Sequence, residues 1–118
     1  MNWIETPTMR QLERYLDLVA FRHELISSNL ANIDTPGYRT QDVDFESEMR
    51  RADLRLEDSP VSPHVKEVKG LIERPDGNNV SLDRESLALA RTQLQYRAGV
   101  ELLRTEIHRL QTAINEGK

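Results

Sequence analysis

From Leu12 to Ile33 the apolar residues Leu12, Leu16, Val19, Ile26, Leu30 and Ile33 recur in alternating steps of four and three, with His23 filling the one vacancy. That stripe is the narrow seam of a coiled coil rather than the wide face of a globular helix. It predicts a helix over about 8–33, capped by Thr8 beside Pro7 and, at about 1.5 Å per residue, roughly 39 Å long.

The pattern stops in the run Ser28-Asn29-Leu30-Ala31-Asn32-Ile33-Asp34-Thr35-Pro36-Gly37-Tyr38. Asp34 and Thr35 can bond nearby backbone instead of continuing the helix, and Pro36 biases Thr35 towards extended geometry. Pro36 has no N–H to donate, and Gly37 readily takes positive φ. Asp34, Thr35, Pro36 and Gly37 are therefore read as a structural turn. Asp76 and Gly77, opening Asp76-Gly77-Asn78-Asn79, mark a second one.

After that turn a helix is expected over about 81–115, capped by Ser81 or Asp83 and ended by Gly117. Its seam reads Leu87, Ala90, Leu94 and then, after a slip near Ala98 and Gly99, Tyr96, Val100, Leu103, Ile107, Leu110 and Ile114. Between the helices, over about 34–80, Pro60, Pro63 and Pro75 with Gly70 and Gly77 interrupt every long stretch. Val43, Phe45 and Met49 suit docking on a partner, and Val65 to Val68 with Leu71-Ile72 suits a short extended pair. A loosely ordered loop is the simpler account of both. The expected fold class is all-α: two long terminal helices pairing as an antiparallel coiled-coil-like hairpin, joined by a largely irregular connector, in one domain spanning 1–118.

Two helices with narrow seams bury little, so the pair is expected to need partners. Leu18, Phe21 and Leu25 on the first helix and Leu82, Leu89 and Leu102 on the second lie off the seams. They widen the apolar stripes in the manner of helices packed inside a multi-chain bundle.

Composition narrows the function classes. With 118 residues, 37% hydrophobic, 31% charged and 5% aromatic, the chain reads as one soluble domain without a large core. A net charge of -4 has the wrong sign for nucleic acid or an anionic membrane. The absence of cysteine removes disulfides, thiolate metal sites and thiol nucleophiles. No segment approaches the roughly 18 consecutive apolar residues of a membrane span. The stretch Met1-Asn2-Trp3-Ile4-Glu5 lacks the layout of a cleaved signal, so a cytosolic protein, or one exported without such a signal, is expected.

No catalytic, cofactor-binding or metal site emerges. His23, His64 and His108 have no histidine neighbour three or four residues away, and His23-Glu24 is half of a metal-helix motif at most. Asp42-Val43-Asp44-Phe45-Glu46 suggests a cation loop, but Ser47 and Asp53 stand where an EF-hand needs glycine and glutamate. A helix-entry turn accounts for Asp76-Gly77-Asn78-Asn79. No phosphate loop, dinucleotide fingerprint or nucleophile elbow is present, and an enzyme is not expected.

The Ser28–Tyr38 run resembles the N-terminal signature of the bacterial flagellar axial family of rod and hook proteins. Asp42-Val43-Asp44-Phe45-Glu46-Ser47-Glu48-Met49 and Asp76-Gly77-Asn78-Asn79-Val80-Ser81-Leu82-Asp83-Arg84-Glu85 are similar to the corresponding stretches of its proximal-rod members. Hook and distal-rod relatives insert folded β domains that this connector is too short to hold.

The resemblance implies a structural subunit of the basal-body rod, the shaft that crosses the periplasm and transmits torque, exported through the flagellar type III apparatus without a cleaved signal. Implied partners are copies of itself, FlgC-like and other rod subunits, a FliE-like rod-to-ring adaptor and the membrane ring, with no nucleic acid and no small-molecule substrate. The subunit interface is then expected at Leu12, Leu16, Val19, Ile26, Leu30 and Ile33, at Leu87, Leu94, Val100, Leu103, Ile107, Leu110 and Ile114, and at Asn29, Asn32 and Tyr38. The last three are assigned there because terminating a helix requires none of them. A cytosolic helical adaptor or export chaperone, binding partner helices without polymerising, is the alternative.

Overall fold

A computed structural model describes residues 5–53 and 62–117. Pro60, the stretch 54–61 of the connector and residues 1–4 of the N-terminus lie outside them. The order of elements is α1 (Pro7–Ala31), β1 (Gln41–Val43), α2 (Phe45–Asp53), β2 (Val65–Glu67) and α3 (Leu82–Glu116).

α1 begins one residue earlier than the pattern suggested. Thr6, not Thr8, is the cap: its Oγ1 accepts from the Met9 N–H at 3.1 Å, and Pro7 occupies a first-turn position where no N–H is needed. α3 starts at the expected Ser81, whose Oγ accepts from Arg84 N–H at 3.3 Å. With 25 and 35 residues the two helices are roughly 37 and 52 Å long and set the 68 Å length of the molecule. They run antiparallel, since Thr6 meets Glu106 at one end and Asn29 meets Glu85 at the other.

The connector is more ordered than its prolines imply. α2 forms because Asp44 caps it, accepting from Ser47 N–H at 3.3 Å and Ser47 Oγ at 2.9 Å. Glu46 and Glu48 stand in its first turn and Arg50 and Arg51 in its last, each complementing the helix dipole. The bonds from Ser47 also hold the Asp44 carboxyl below its ordinary value. Phe45 packs edge-on to Tyr15 of α1 with ring centroids 5.5 Å apart, and Val43 is buried. The partner expected for this segment is therefore the chain's own first helix.

The extended pair also differs from expectation. β2 forms within the expected 65–68 stretch, but it pairs antiparallel with β1, matching Gln41 to Glu67, Asp42 to Lys66 and Val43 to Val65, rather than with Leu71-Ile72.

The α1 seam is as read in part: Val19 and Ile26 are buried at 0% and 3% exposure and Leu12, Leu16, Leu30 and Ile33 are half-buried, but Leu18, read as off the seam, is buried too, as is Asn29. The α3 seam is not. Leu87 and Leu94 are 61% and 67% exposed, while Glu85, Thr92, Gly99 and Glu106, seven residues apart, are buried against α1. Leu89, Leu103 and Leu110 border that row, half-buried.

Each buried polar group in the row is paired. Glu85 accepts from Asn29, Thr92 Oγ1 donates to the Leu89 carbonyl at 2.9 Å, and Glu106 accepts from Thr6 and Arg109. Gly99 is the point of closest approach rather than a slip: a Cβ there would stand 2.7 Å from Leu16 Cδ2 and 3.1 Å from Tyr15 Cε2.

Candidate subunit interface and the corner that frames it

The Ser28–Tyr38 turn and the Asp76–Glu85 helix entry lie far apart in the chain but fold into one corner at the end of the hairpin. Gly37 and Gly77 carry φ of 76° and 89°, and a Cβ on Gly77 would meet Gly37 Cα at 3.4 Å. Glycine at both positions lets the two turns lie face to face.

Two asparagines hold the corner. Asn29, fully buried, donates from Nδ2 to the Gln41 carbonyl at 2.9 Å and to Glu85 Oε1 at 2.7 Å. Its Oδ1 accepts from Gln41 N–H at 3.1 Å and Tyr38 OH at 3.0 Å. Asn78, also fully buried, donates to the Asn32 and Thr35 carbonyls at 3.0 and 2.8 Å, and accepts from Val80 N–H at 2.8 Å and Arg74 Nη2 at 2.7 Å.

A carboxamide has two donors and an acceptor oxygen with two lone pairs, so both side chains are saturated. Asn79 adds a third tie, its Oδ1 accepting from Thr40 N–H at 2.7 Å. Arg39 Nη1 donates to the Gly77 carbonyl at 2.8 Å, and Arg74 reaches the Ile33 carbonyl.

An ionic chain ties the same corner to the helices. Arg22 grips Asp42 with two bonds of 3.0 and 2.9 Å, Arg84 touches Asp42 at 3.4 Å, and Arg84 also pairs with the buried Glu85, which holds Asn29. Charges in this row are each matched by a neighbour, as burial requires.

Three of the expected interface residues are engaged within this chain. Asn29 has no capacity left for a neighbouring backbone. Tyr38 spends its hydroxyl on Asn29, within 3.3 Å of Ser28 Oγ. Asn32 is the C-cap of α1: its Nδ2 donates to the Ser28 carbonyl at 2.8 Å and its Oδ1 accepts from Thr35 Oγ1 at 3.0 Å. All three serve termination and closure of this chain. Asp34, Thr35, Pro36, Gly37 and Asp76 lie exposed on the outside of the corner, and Asp76 Oδ1 accepts from Asn78 N–H at 2.9 Å.

The remaining expected interface residues separate by helix. On α1, Val19 and Ile26 are buried in the chain's own core, and Leu12, Leu16, Leu30 and Ile33 are half-buried. On α3, Leu87, Leu94, Ile107 and Ile114 are exposed, while Val100, Leu103 and Leu110 are half-buried. Val100 joins Val19, His23, Thr92 and Tyr96 in a groove between the helices, rimmed by Glu24, Arg97, Glu101 and Arg104. His23 is thus on a groove wall rather than in the seam core.

Asn78, Asn79, Glu85, Gly99 and Glu106 were not singled out by hydrophobic patterning. The seven-residue spacing of Glu85, Thr92, Gly99 and Glu106 was the available signal. Among the described residues no three histidine, aspartate or glutamate side chains converge as a metal site would require, and no helix is long and apolar enough to cross a membrane.

Residues 22–39 match the family model described as flagella basal body rod protein. The chain is similar to the flagellar basal body rod protein FlgB of Bacillus subtilis, 29% identical over 94% of this chain and 95% of the relative. It is 30% identical to that of Escherichia coli over 92% of this chain and 94% of the relative. With that of Borreliella burgdorferi it shares 34% identity over 70% of this chain and 77% of the relative.

Proposed function

Because this chain belongs to the FlgB family of flagellar basal body rod proteins, we propose that it polymerises through its terminal helices as a subunit of the proximal rod and carries torque there. The observation that supports this reading is the imbalance of apolar surface. Leu82, Leu87, Leu94, Tyr96, Leu102, Ile107 and Ile114 of α3 are all exposed, whereas among the described residues the buried apolar core is Leu18, Val19, Ile26, Val43, Ala52 and Val80. A chain that leaves this much of one long helix uncovered is built to have it covered by another.

In a shaft, such contacts are heterologous and propagate rather than close, and torque is borne by side-to-side burial between long helices. No bond is made or broken. Other rod subunits, a FliE-like adaptor and the membrane ring are the proposed partners, reached by type III export without a cleaved signal. The corner supplies the rigidity at one end of each subunit.

The test is complementation of a strain deleted for this gene with Leu87→Glu and Leu94→Glu together. Both side chains are exposed, so circular dichroism of the isolated chain should match the parent. Cells carrying the variant should be non-motile, and their purified basal bodies should lack the chain. Normal swimming, or a parent chain recovered only in the cytosol bound to an export substrate, would favour the adaptor instead.

A further inference from the structure

On α3, Leu87 and Leu94 are exposed together with Arg91 and Arg97, the last of these at the rim of the groove between the helices. The exposed face of α1 is opposite in both respects: Asp17 and Glu24 supply negative charge, and Ala20 and Ser27 leave room between them. Among the described residues none of these four charged side chains has an ion-pair partner, although Arg22, Arg39, Arg51, Arg84, Arg104 and Arg109 all do.

The intrachain contacts fix how the two helices align in height. Asn29 is level with Glu85, Leu16 with Gly99 and Thr6 with Glu106. Interpolating along the antiparallel pair puts Ser27 level with Leu87, Glu24 with Arg91, Ala20 with Leu94 and Asp17 with Arg97. When a second copy stands alongside the first with little axial offset, each leucine meets a small residue and each arginine meets a carboxylate. Small residues admit a bulky knob, and opposite charges set the register, which is how helix pairs obtain both fit and specificity.

We propose that the lateral neighbour on this face is a second copy of the same chain, seated with its α1 residues Asp17, Ala20, Glu24 and Ser27 against α3 residues Leu87, Arg91, Leu94 and Arg97. The proposal rests on the assembly reading above and deepens it by naming partner and register. The contact joins two different faces, so it repeats from copy to copy and suits a shaft.

The chain has no cysteine, so introduced thiols report without background. Full-length Ala20→Cys and Leu94→Cys chains, one of them tagged, are co-expressed in the deletion strain, and basal bodies are purified and mildly oxidised. The expected result is a disulfide dimer containing both forms, absent when either form is expressed alone. A cross-link to a protein of different mass, or none, while the chain is present in basal bodies overturns the register and leaves the rod assignment standing. Absence of the chain from basal bodies overturns both.

A charge reversal gives an independent reading. Arg91→Glu with Arg97→Glu should lower incorporation about tenfold or more, since like charges then face each other. Adding Asp17→Arg and Glu24→Arg in the same chain should restore it. Failure of the combined reversal to restore incorporation, with helix content unchanged, would count against the pairing.

Discussion

Asn29 and Asn78 are each bonded to four groups. Asn29→Ala strands the Gln41 N–H and carbonyl and leaves Glu85 buried with one bond fewer, so it should cost about 3 kcal/mol of folding stability by urea denaturation. Asn32→Ala loses only a half-buried cap and should cost about 1 kcal/mol or less. The contrast separates closure from capping. Pro36 and Gly37 were legible as a turn because backbone restriction is a local property. Asn29 was not, because its partners are 12 and 56 residues away in sequence, and nothing local marks a side chain bonded across such distances.

Glu106 makes a pH prediction at the same scale. The bond from Arg109, with a smaller one from Thr6, holds its carboxyl below the ordinary value of 4.5. Folding therefore gains from its ionised form at neutral pH, and that gain is lost as the pH falls through the depressed native value. The urea midpoint of the parent should drop more steeply below about pH 5 than that of Glu106→Gln. Equal slopes would show that Glu106 contributes nothing to acid sensitivity.

Between elements, Gly99 decides how close α1 and α3 come. Gly99→Leu drives a side chain into Leu16 and Tyr15 and should cost about 1–3 kcal/mol. Gly99→Ala should be near neutral, because the helix-propensity gain of about 1 kcal/mol offsets displacement of the Leu16 terminal methyl. The α1 seam was readable in part because apolar residues, Leu18, Val19 and Ile26, fill all but one of its buried positions, Asn29 being the exception. The α3 seam was not: glutamate, threonine and glycine occupy its buried row, and a search for apolar periodicity settles on the leucines that face outward. α2 escaped for a related reason. Its nine residues include five charged ones, and its formation depends on Asp44 as cap and on Tyr15 as packing partner.

Across the whole molecule, order should be uneven. The corner concentrates saturated hydrogen bonds and ion pairs around Asn29, Asn78 and Glu85, whereas Ile107 to Gly117 of α3 is exposed at all but one position. Amide exchange should be slowest through Ile26–Asn29 and Val80–Thr92 and fastest in the last three turns of α3. Uniform protection along α3 in the isolated chain would contradict this. On assembly, the exposed leucine face should gain protection.

The sequence by itself determined two long helices and a turn where each is entered or left, because periodicity, proline and glycine act within a few residues. Only the tertiary structure decided which face of α3 meets α1 and which stays outside. That choice rests on Gly99 allowing close approach and on Glu85 and Glu106 finding partners across the chain. It also brought Asn29, Asn32 and Tyr38 into hydrogen bonds within this chain and left leucines and arginines of α3 exposed.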